Sequence, residues 1–548
     1  MRIALAQLNF IIGNFEYNYN KIAKAIEKAK FEKVDLIVFS ELAVCGYPPH
    51  DLLEQKLFID NCTLWLSKIA NECDGIAAIV GAPSINNNPH GKILFNTAYF
   101  IENKEIKSLH HKALLPTYDV FDEYRYFEPG KDFNVVEYKN KRIAITICED
   151  LWDNQPVETS FGRNRLYNVS PIEELAKQHP EFIVNIAGSP FSYTKGKIKQ
   201  DIFIAHAKKY KIPLFYVNQV GAHTDQVFDG GSLVVDQNGE ITDSLSLFEE
   251  DFKVYDLNNL AKQSQLSINK PVIEKIHDAL VLGIRDYFSK SGLKRAVLGL
   301  SGGIDSAVTL VLAVKALGSE NVRVLLMPSK YSSDHSVNDA VALAKKLNVQ
   351  YETLQIQPPV EAVLSTVQPI FKGLKEDITE ENIQARIRGL LLMAVSNKFG
   401  NILLNTSNKS EIAVGYGTLY GDMNGGLSVL GDVYKTDVYQ LANFINSTEE
   451  IIPINTIQKP PSAELHPDQK DSDSLPDYDV LHSVLFRFIE QQKSIEAIIN
   501  DGFDQEIVKK VIRMVNFNEY KRFQTPPILR ISSKAFGIGR KMPIVAKY

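Results

Sequence analysis

Residues 299–306 of this 548-residue chain read Gly-Leu-Ser-Gly-Gly-Ile-Asp-Ser, a run that could bind a phosphate. Its glycines let backbone N–H groups approach an oxyanion closely, and the start of a helix favours negative charge. The run lacks the Gly-Lys-Ser/Thr end of a Walker loop. The alternative is an ordinary glycine-rich turn, but the hydroxyls of Ser301 and Ser306, together with Asp305, favour a phosphate-binding loop.

A second candidate set consists of Glu41, Lys112 and Cys148, which lie far apart in the chain. A thiol nucleophile needs a base that produces the thiolate, and a carboxylate can serve. A cation beside them can stabilise the oxyanion of a tetrahedral intermediate. Taken singly, a cysteine is usually a small buried hydrophobe and a charged residue usually lies at the surface. Together the three predict nucleophilic catalysis by the thiol.

Strands must bring these side chains to their sites. A strand-like apolar run at residues 35–40 ends immediately before Glu41, and another at 142–147 ends immediately before Cys148. The glycine-rich run lies between a predicted strand at 296–300 and a predicted helix at 305–317. Side chains at such positions lie at the rim of a sheet, where α/β proteins bind their ligands.

The composition predicts an ordinary soluble globular protein. Hydrophobic residues at 45% and charged residues at 23% are ordinary values for a globular chain. The net charge of −6 argues against a nucleic-acid partner, and no apolar run of about 18 residues predicts a membrane span. The N-terminus lacks the apolar core of a signal peptide. Four cysteines without metal-ligand spacing indicate a reducing, cytoplasmic location.

The chain is predicted to divide once, at a polar segment around residues 256–271. Before this linker, strand-like runs predominate; after it, strands and helices alternate strictly. Such alternation predicts a doubly wound parallel α/β sheet with ligands at the carboxyl ends of its strands. We therefore expect domains at 1–260 and 270–548. The acidic stretch 466–476 is predicted to be a solvated loop without a role.

Both candidate sites resemble those of known families. The run 299–306 resembles the pyrophosphate loop of the N-type ATP pyrophosphatases, which implies an adenine nucleotide α-hydrolase-like fold for the second domain. Glu41, Lys112 and Cys148 resemble the catalytic set of the nitrilase-like carbon–nitrogen hydrolases, which implies an αββα sandwich for the first. The words that flank these three residues match too: Phe-Ser-Glu-Leu at 39–42, Lys-Ala-Leu-Leu-Pro at 112–116 and Cys-Glu-Asp-Leu-Trp at 148–152.

The two halves in this order resemble the glutamine-dependent NAD⁺ synthetases over nearly the whole chain. Further words of the second half support the resemblance: 381–389, 406–411, 415–422, 460–465 and 518–522. The resemblance implies that glutamine hydrolysis supplies ammonia, and that ATP activates deamido-NAD⁺ as an acyl adenylate for amidation to NAD⁺. AMP, pyrophosphate and glutamate are the other products.

For the first site, the resemblance implies that Glu41 is the base, Cys148 the nucleophile and Lys112 the oxyanion support. It places glutamine against Tyr118, Ser189 and Lys195. For the second site, it assigns ATP to Gly299, Leu300, Ser301, Gly302, Gly303, Ile304, Asp305, Ser306 and Thr406. It assigns deamido-NAD⁺ to Asn382, Glu411, Tyr416 and Lys521. Mg²⁺, which prefers one or two carboxylates together with phosphate oxygens, is assigned to Asp305 and Glu411.

The resemblance also implies an assembly of at least two copies. One alternative is an ammonia-dependent synthetase whose amidase half is vestigial. The intact Glu41, Lys112 and Cys148 argue against it. A second alternative, a non-enzymatic binding module fused to a nucleotide sensor, would not need a nucleophile, a base and a cation together.

Overall fold

The computed structural model describes residues 1–154, 156–159, 162–260, 266–462, 464–466 and 471–546. Within it the chain forms two units, Met1–Lys270 and Pro271–Tyr548. The strands of the first unit are β1 Arg2–Gln7, β2 Leu36–Val38, β3 Ala77–Ile85, β4 Leu94–Glu102, β5 Glu105–His111, β6 Val136–Tyr138, β7 Lys141–Ile147, β8 Pro156–Thr159, β9 Gly162–Arg165, β10 Phe182–Ala187, β11 Leu214–Asn218, β12 Val220–His223, β13 Gln226–Asp229, β14 Leu233–Val235, β15 Ile241–Ser244 and β16 Asp251–Asp256. Its helices are α1 Phe15–Phe31, α2 Lys56–Glu72, α3 Pro171–Ala176 and α4 Gly196–Tyr210.

Two six-stranded sheets form the centre of the first unit, in the orders β16-β1-β2-β3-β4-β5 and β15-β14-β11-β10-β7-β6. Each has a parallel centre, β1-β2-β3 and β7-β10-β11, flanked by antiparallel strands. The sheets pack against each other through β1 and β11 and through β4 and β7.

Helices cover the outer faces of both sheets. In α1, Ile22, Ile26 and Ala29 recur at helical spacing and pack into the core formed by α1, α2 and the first sheet. Helix α3 contacts β7, and α4 contacts β14 of the second sheet. The predicted αββα sandwich is confirmed.

The second unit is built on a five-stranded sheet. Its strands are β17 Ala296–Gly299, β18 Val322–Leu326, β19 Gln350–Thr353, β20 Ile402–Asn405 and β21 Leu427–Ser428. Its helices are α5 Val272–Lys290, α6 Ile304–Leu317, α7 Asp334–Lys346, α8 Gln357–Phe371, α9 Ile378–Phe399, α10 Lys409–Val414, α11 Lys435–Ile445, α12 Ile454–Gln458, α13 Tyr478–Leu485, α14 Ile495–Asn500, α15 Gln505–Phe517 and α16 Glu519–Arg522.

The strand order of this sheet is β19-β18-β17-β20-β21, and every neighbouring pair is parallel. The predicted parallel sheet is confirmed. Because the chain first builds outward from β17 on one side and then returns to its other side, the order reverses between β17 and β20. Ligands of open α/β sheets bind at such a reversal, beyond the carboxyl ends of the strands. The glycine-rich loop and Thr406 both lie there.

Several predicted boundaries are wrong by one to three residues. The strand predicted at 35–40 ends at Val38, because the chain begins to turn toward Glu41. The helix predicted from 305 begins at Ile304, with Gly303 as its N-cap. Helix α9 begins at Ile378, where Asp377 and Glu380 form a capping box. Residues 261–265 of the predicted linker lie outside the described residues.

A buried ion cluster links α10 to the C-terminal part of the second unit. Lys409 Nζ lies 2.9 Å from Asp432 Oδ1 and 2.8 Å from Glu490 Oε1, and it donates to Ser532 Oγ at 2.8 Å. The side chains of the three charged residues are almost completely buried. Each therefore depends on the others for the interactions that water would otherwise supply.

We expect Lys409→Met to lower the free energy of unfolding by about 3–5 kcal/mol, because it leaves two carboxylates buried without their cation. Urea unfolding measures the change. The matched control is Lys346→Met, which removes an exposed pair with Glu449 and should cost about 1 kcal/mol or less. If the two substitutions lowered the free energy of unfolding equally, the buried cluster would not have the stabilising role inferred for it.

Candidate active sites

Close backbone packing at a glycine positions Glu41. A Cβ on Gly81 of β3 would lie 2.4 Å from the backbone nitrogen of Leu42 and 2.8 Å from the carbonyl oxygen of Ser40. Only glycine therefore lets the turn after β2 lie this close to β3. The result is that the Glu41 carboxylate is buried at the end of a central strand.

Cys148 lies at the start of the 3₁₀ turn Cys148–Leu151 that follows β7, with φ of +44°. A positive φ is uncommon for a residue other than glycine. The Asp150 carboxylate holds this turn: it accepts from Ile147 N at 3.0 Å and from Ala113 N and Leu114 N at 2.9 Å. One buried acid thus ties the nucleophile's turn to the segment that follows Lys112.

Lys112 bridges two buried carboxylates. Its Nζ donates to Glu41 Oε1 at 2.8 Å and to Glu123 Oε1 at 2.8 Å. Tyr47 OH donates to the same oxygen of Glu123 at 2.8 Å. The structure therefore brings Glu41 and Lys112 into direct contact, and it adds Glu123, which the sequence analysis did not identify.

Electrostatics keep the Cys148 thiol protonated at rest. Burial raises the pKa of the thiol well above its usual range, and the charge of Glu41 raises it further, while Lys112 opposes both. Burial also raises the pKa of Glu123 to about 7 against the effect of Lys112. Burial alone would lower the pKa of Lys112, but Glu123 and Glu41 outweigh it, so this lysine stays charged. The thiol therefore needs a base while it attacks.

The residues assigned to glutamine lie around the same turn. Tyr118 OH donates to Glu149 at 2.9 Å, and Tyr167 OH donates to that carboxylate at 2.8 Å. Lys195 Nζ lies 5.8 Å from the centre of the Tyr118 ring and 3.4 Å from Asp119 Oδ2. Burial raises the pKa of Glu149 to about 7.

Ser189 follows β10, and its backbone is fixed by Asn218, which accepts from Ser189 N at 2.8 Å and donates to Ser189 O at 3.0 Å. The preceding residue, Gly188, donates its N–H to Glu41 Oε2 at 2.7 Å. The turn that carries Ser189 is thus joined directly to the proposed base.

The second site is built on the turn after β17. Gly302 has φ of +83°, and a Cβ there would lie 2.2 Å from the carbonyl oxygen of Ser336. Ser301 Oγ accepts from Gly303 N at 3.2 Å and lies 3.2 Å from Ser306 Oγ. Glycine thus lets the loop pack against α7, and the serine hydroxyls brace it from within.

A cavity of about 300 Å³ opens beside this loop. It lies at the carboxyl ends of β17, β18 and β20. The predicted residues that line it are Gly299, Leu300, Ser301, Gly303, Ile304, Asp305, Ser306, Thr406, Glu411 and Tyr416. Gly302, Asn382 and Lys521 are not part of this lining.

Two acids and a lysine face one another in the cavity. Lys435 Nζ donates to Asp305 Oδ2 and lies 3.6 Å from Glu411 Oε1. Asn408 Nδ2 donates to Asp305 Oδ1 at 2.9 Å, and Asn408 forms a capping box with Glu411. Burial, followed by the charge of Asp305, raises the pKa of Glu411 to about 8.

The donor set of this cluster fits Mg²⁺, which takes one or two carboxylates and completes its shell with phosphate oxygens and water. A cation there would relieve the repulsion between Asp305 and Glu411. Over the described ranges, no group of three or more His, Cys, Asp or Glu side chains could hold a metal ion by itself. Phosphate oxygens of a nucleotide would therefore have to contribute.

Two residues assigned to deamido-NAD⁺ have protein partners outside the cavity. Asn382 Oδ1 accepts from Thr418 Oγ1 at 2.7 Å. Lys521 Nζ donates to the carbonyl oxygens of Gly415 and Gly417, both at 2.8 Å. Lys521 thereby holds the segment that carries Tyr416.

The prediction of a solvated, roleless stretch at 466–476 is wrong for Asp471, which is buried and lines the cavity. Asp471 accepts from Tyr416 OH at 3.3 Å and from Tyr478 OH at 2.8 Å. Its acidic neighbours made the stretch look solvent-exposed, and only the tertiary fold shows that two tyrosines cover it. Residues 467–470 lie outside the described residues.

Sequence reasoning also missed five other residues at these sites. Asn96 and Glu123 contact the Glu41–Lys112 pair, and no motif surrounds either of them. Lys435 and Lys459 line the nucleotide cavity. Glu149 could have been identified from the sequence, because it directly follows Cys148.

In the part of the chain that the structure describes, no helix is long and apolar enough to span a membrane.

Family models match both units. Residues 2–264 match the carbon–nitrogen hydrolases, and residues 276–525 match NAD synthase. A glutamine-dependent NAD(+) synthetase of Synechocystis sp. is 45% identical over 100% of this chain and 99% of its own length. The solved structure of glutamine-dependent NAD⁺ synthetase from Acinetobacter baumannii, a complex with ADP, is 37% identical, covers 99% of this chain and 98% of its own, and has a TM-score of 0.77. The enzyme of that name from Cytophaga hutchinsonii shares the fold, with a TM-score of 0.84 at 21% identity over 100% of this chain and 98% of its own.

The fold and the matches thus define a carbon–nitrogen hydrolase unit and an NAD synthase unit in one chain. The chain belongs to the family of glutamine-dependent NAD⁺ synthetases, as its sequence motifs predicted.

Proposed function

We propose that this chain is a carbon–nitrogen ligase that converts deamido-NAD⁺, ATP and glutamine to NAD⁺, AMP, pyrophosphate and glutamate. The observation that carries the proposal is the presence of two equipped sites in one chain. The first has Glu41 and Lys112 in contact beside Cys148. The second has the loop 299–306 at the cavity with Asp305. The ADP complex of the Acinetobacter baumannii relative supports ATP as the nucleotide.

In the first site, Cys148 attacks the side-chain amide carbon of glutamine while Glu41 takes the thiol proton. Lys112 supports the oxyanion that forms, because it is a buried cation beside the reacting atoms. The proton then passes to the amide nitrogen, ammonia leaves, and a thioester remains. Water, activated by the same carboxylate, releases glutamate and restores the thiol.

Recognition of glutamine uses its two α substituents. Tyr118, Ser189 and Lys195 contact the substrate, with the Lys195 ammonium suited to the α-carboxylate. Glu149 is suited to the α-ammonium, because it is a desolvated carboxylate directly beside the nucleophile. A cationic ligand would favour its charged form, which burial now disfavours.

In the second site, ATP lies on residues 299–306 and Thr406. Deamido-NAD⁺ contacts Asn382, Glu411, Tyr416 and Lys521. Its nicotinate carboxylate attacks the α-phosphorus of ATP, pyrophosphate leaves, and ammonia then displaces AMP from the acyl adenylate. Mg²⁺, held by Asp305 and Glu411, neutralises phosphate charge when bound.

The two activities belong to separate domains, 1–260 for the glutaminase and 270–548 for the synthetase. The four cysteines are free thiols, which fits a cytoplasmic location. We place the active species at two copies or more, and exposed apolar side chains of α8 and α9, among them Ile370 and Leu390, offer a surface for the second copy. A vestigial amidase unit fed by free ammonia is the alternative.

Cys148→Ala should abolish NAD⁺ synthesis from glutamine and leave synthesis from ammonium largely intact, since only one site loses its nucleophile. The measurement is NAD⁺ formation from deamido-NAD⁺, ATP and Mg²⁺ with either nitrogen source. Cys73→Ala, which alters another buried thiol, should keep both. Glutamine use that survives Cys148→Ala would overturn the first site, and a wild-type chain that uses ammonium alone would establish the alternative.

Asp305→Asn should reduce AMP release with glutamine and with ammonium alike by about 10²-fold or more, a loss typical of one electrostatic group. Glutamine hydrolysis should persist. The control is Asp334→Asn, because Asp334 is also a first-turn acid, on α7, but does not line the cavity. Near-normal AMP release from the Asp305 variant at saturating ammonium would exclude its role in holding Mg²⁺.

Glu149→Gln should lower kcat/KM for glutamine by about 30-fold or more, in line with the cost of truncating one partner of a buried charge pair. The activity on glutaramic acid, which lacks the α-amino group, should change far less. The two substrates are compared by ammonia release. An equal loss on both would show that Glu149 supports the site without recognising the ammonium.

A further inference from the structure

We propose that Asn96 is a positioning residue of the glutaminase site, where its side-chain amide fixes the Glu41 carboxylate so that only Oε2 can take the thiol proton. The inference rests on the proposed glutaminase function and deepens it. It identifies the oxygen of Glu41 that accepts the proton, and it gives a role to Asn96, which does not itself react.

The donors around Glu41 carry the assignment. Oε1 accepts two hydrogen bonds, from Asn96 Nδ2 at 2.7 Å and from Lys112 Nζ at 2.8 Å. Among the residues that the structure describes, Oε2 accepts one, from Gly188 N at 2.7 Å. A carboxylate oxygen has two in-plane lone pairs, so Oε1 is filled and Oε2 keeps one open. The proton of the thiol is therefore accepted at Oε2.

Asn96 fixes the cation of the site as well as its base. Its carbonyl oxygen accepts from Lys112 N at 2.8 Å. Asn96 lies on β4, which pairs with β3 on one side and with β5 on the other. A central strand therefore holds the side chain of Glu41 and the backbone of Lys112 through a single residue.

The side-chain amide of Asn96 is energetically costly to bury, which indicates that it has a role in the reaction. Asn96 is fully buried, and its Oδ1 has no hydrogen-bond partner within the described ranges. A buried acceptor without a partner destabilises the folded state. An apolar side chain would avoid this cost but could not donate to a carboxylate.

The reaction itself requires a donor other than Lys112. As the oxyanion forms, Lys112 must share its protons among the oxyanion, Glu41 and Glu123. Asn96 and Gly188 then keep the carboxylate in place while the S–H bond of Cys148 breaks, its proton moves to Oε2, and the S–C bond forms. The same oxygen later returns this proton to the departing nitrogen.

The test compares Asn96→Leu, which has a similar volume and no donor, with Thr97→Val. Thr97 is the next residue of β4, equally buried, and it bonds to Ser84 and His111. Asn96→Leu should lower glutaminase kcat about 10-fold, while KM for glutamine changes less than about threefold, since the charged carboxylate loses a hydrogen bond that holds it in place. Thr97→Val should leave both parameters near their wild-type values.

The pH profile of kcat/KM separates positioning from a structural role. Asn96 donates to the charged form of the base, so its loss favours the protonated form and should move the acidic limb of the profile to higher pH. A variant that is only less stable would keep the wild-type limb. Thermal unfolding and circular dichroism monitor the fold of each variant.

Asn96→Asp provides the second variant, because it keeps the shape and so answers the question if the leucine variant does not fold. It adds negative charge beside Glu41 and donates only when protonated, so its activity should fall most steeply above neutral pH. An aspartate variant with the wild-type pH profile would overturn the proposal. Absence of glutaminase activity in the wild-type chain would instead refute the proposed function.

Discussion

The contact between Lys112 and Glu41 is the interaction on which the chemistry proposed for the first unit depends. Two opposite charges are held 2.8 Å apart with no exposure to water. Taking ions out of water costs several kcal/mol each, and their attraction repays this only with good geometry and further hydrogen bonds. Those bonds come from Asn96, Gly188, Tyr47 and the backbone. Much of the sandwich can therefore be understood as the frame that keeps these donors in place.

The fold supplies that frame by bringing strand ends together. Glu41 follows β2, Cys148 follows β7 and Lys112 follows β5, so three strands from two sheets converge on one point. In the second unit a single sheet achieves the same result, because its order reverses between β17 and β20. The loop after β17 carries Asp305 and the loop after β20 leads to Glu411. Long-range topology rather than local sequence sets the distances.

The sequence allowed the motif-bearing parts to be predicted and missed those that depend on tertiary packing. The strand before Cys148 and the loop at 299–306 have local signals, apolar runs and glycines, and they were identified. Glu123 has no such signal, because its importance comes from Lys112, which is adjacent only in space. The error at Asp471 was the opposite one. Its acidic sequence neighbours favoured the prediction of a solvated residue, whereas Tyr416 and Tyr478 bury it in the structure.

The ends of helices and strands were harder to predict from the sequence for a related reason. Helix α9 begins earlier than its apolar periodicity because a capping box at Asp377 and Glu380 extends it. Strand β2 ends earlier than its apolar run because residue 41 must leave the sheet to reach Lys112. Hydrophobic periodicity indicates which residues of a helix or strand are buried. The ends of these elements are set instead by hydrogen bonds and by the contacts that the next residue makes.

One device recurs in the described parts of both units: a buried lysine between two carboxylates. Lys112 lies between Glu41 and Glu123, Lys435 between Asp305 and Glu411, and Lys409 between Asp432 and Glu490.

One cation cannot fully compensate two buried anions, so the excess charge must be met by something else. In the first two clusters burial raises the pKa of one carboxyl, that of Glu123 to about 7 and that of Glu411 to about 8, which favours proton binding as one way to meet the excess charge. Around Lys409 it is met by the protein, because Asp432 also accepts from Ile531 N, Ser532 N and Ser532 Oγ at 2.7–2.8 Å. In such a cluster the fixed donors stabilise the excess charge, so no ligand is needed to do so. A carboxyl whose pKa is raised toward neutrality can exchange its proton for a substrate or a cation, which fits the roles proposed for the Lys112 and Lys435 clusters and a structural role for the Lys409 cluster.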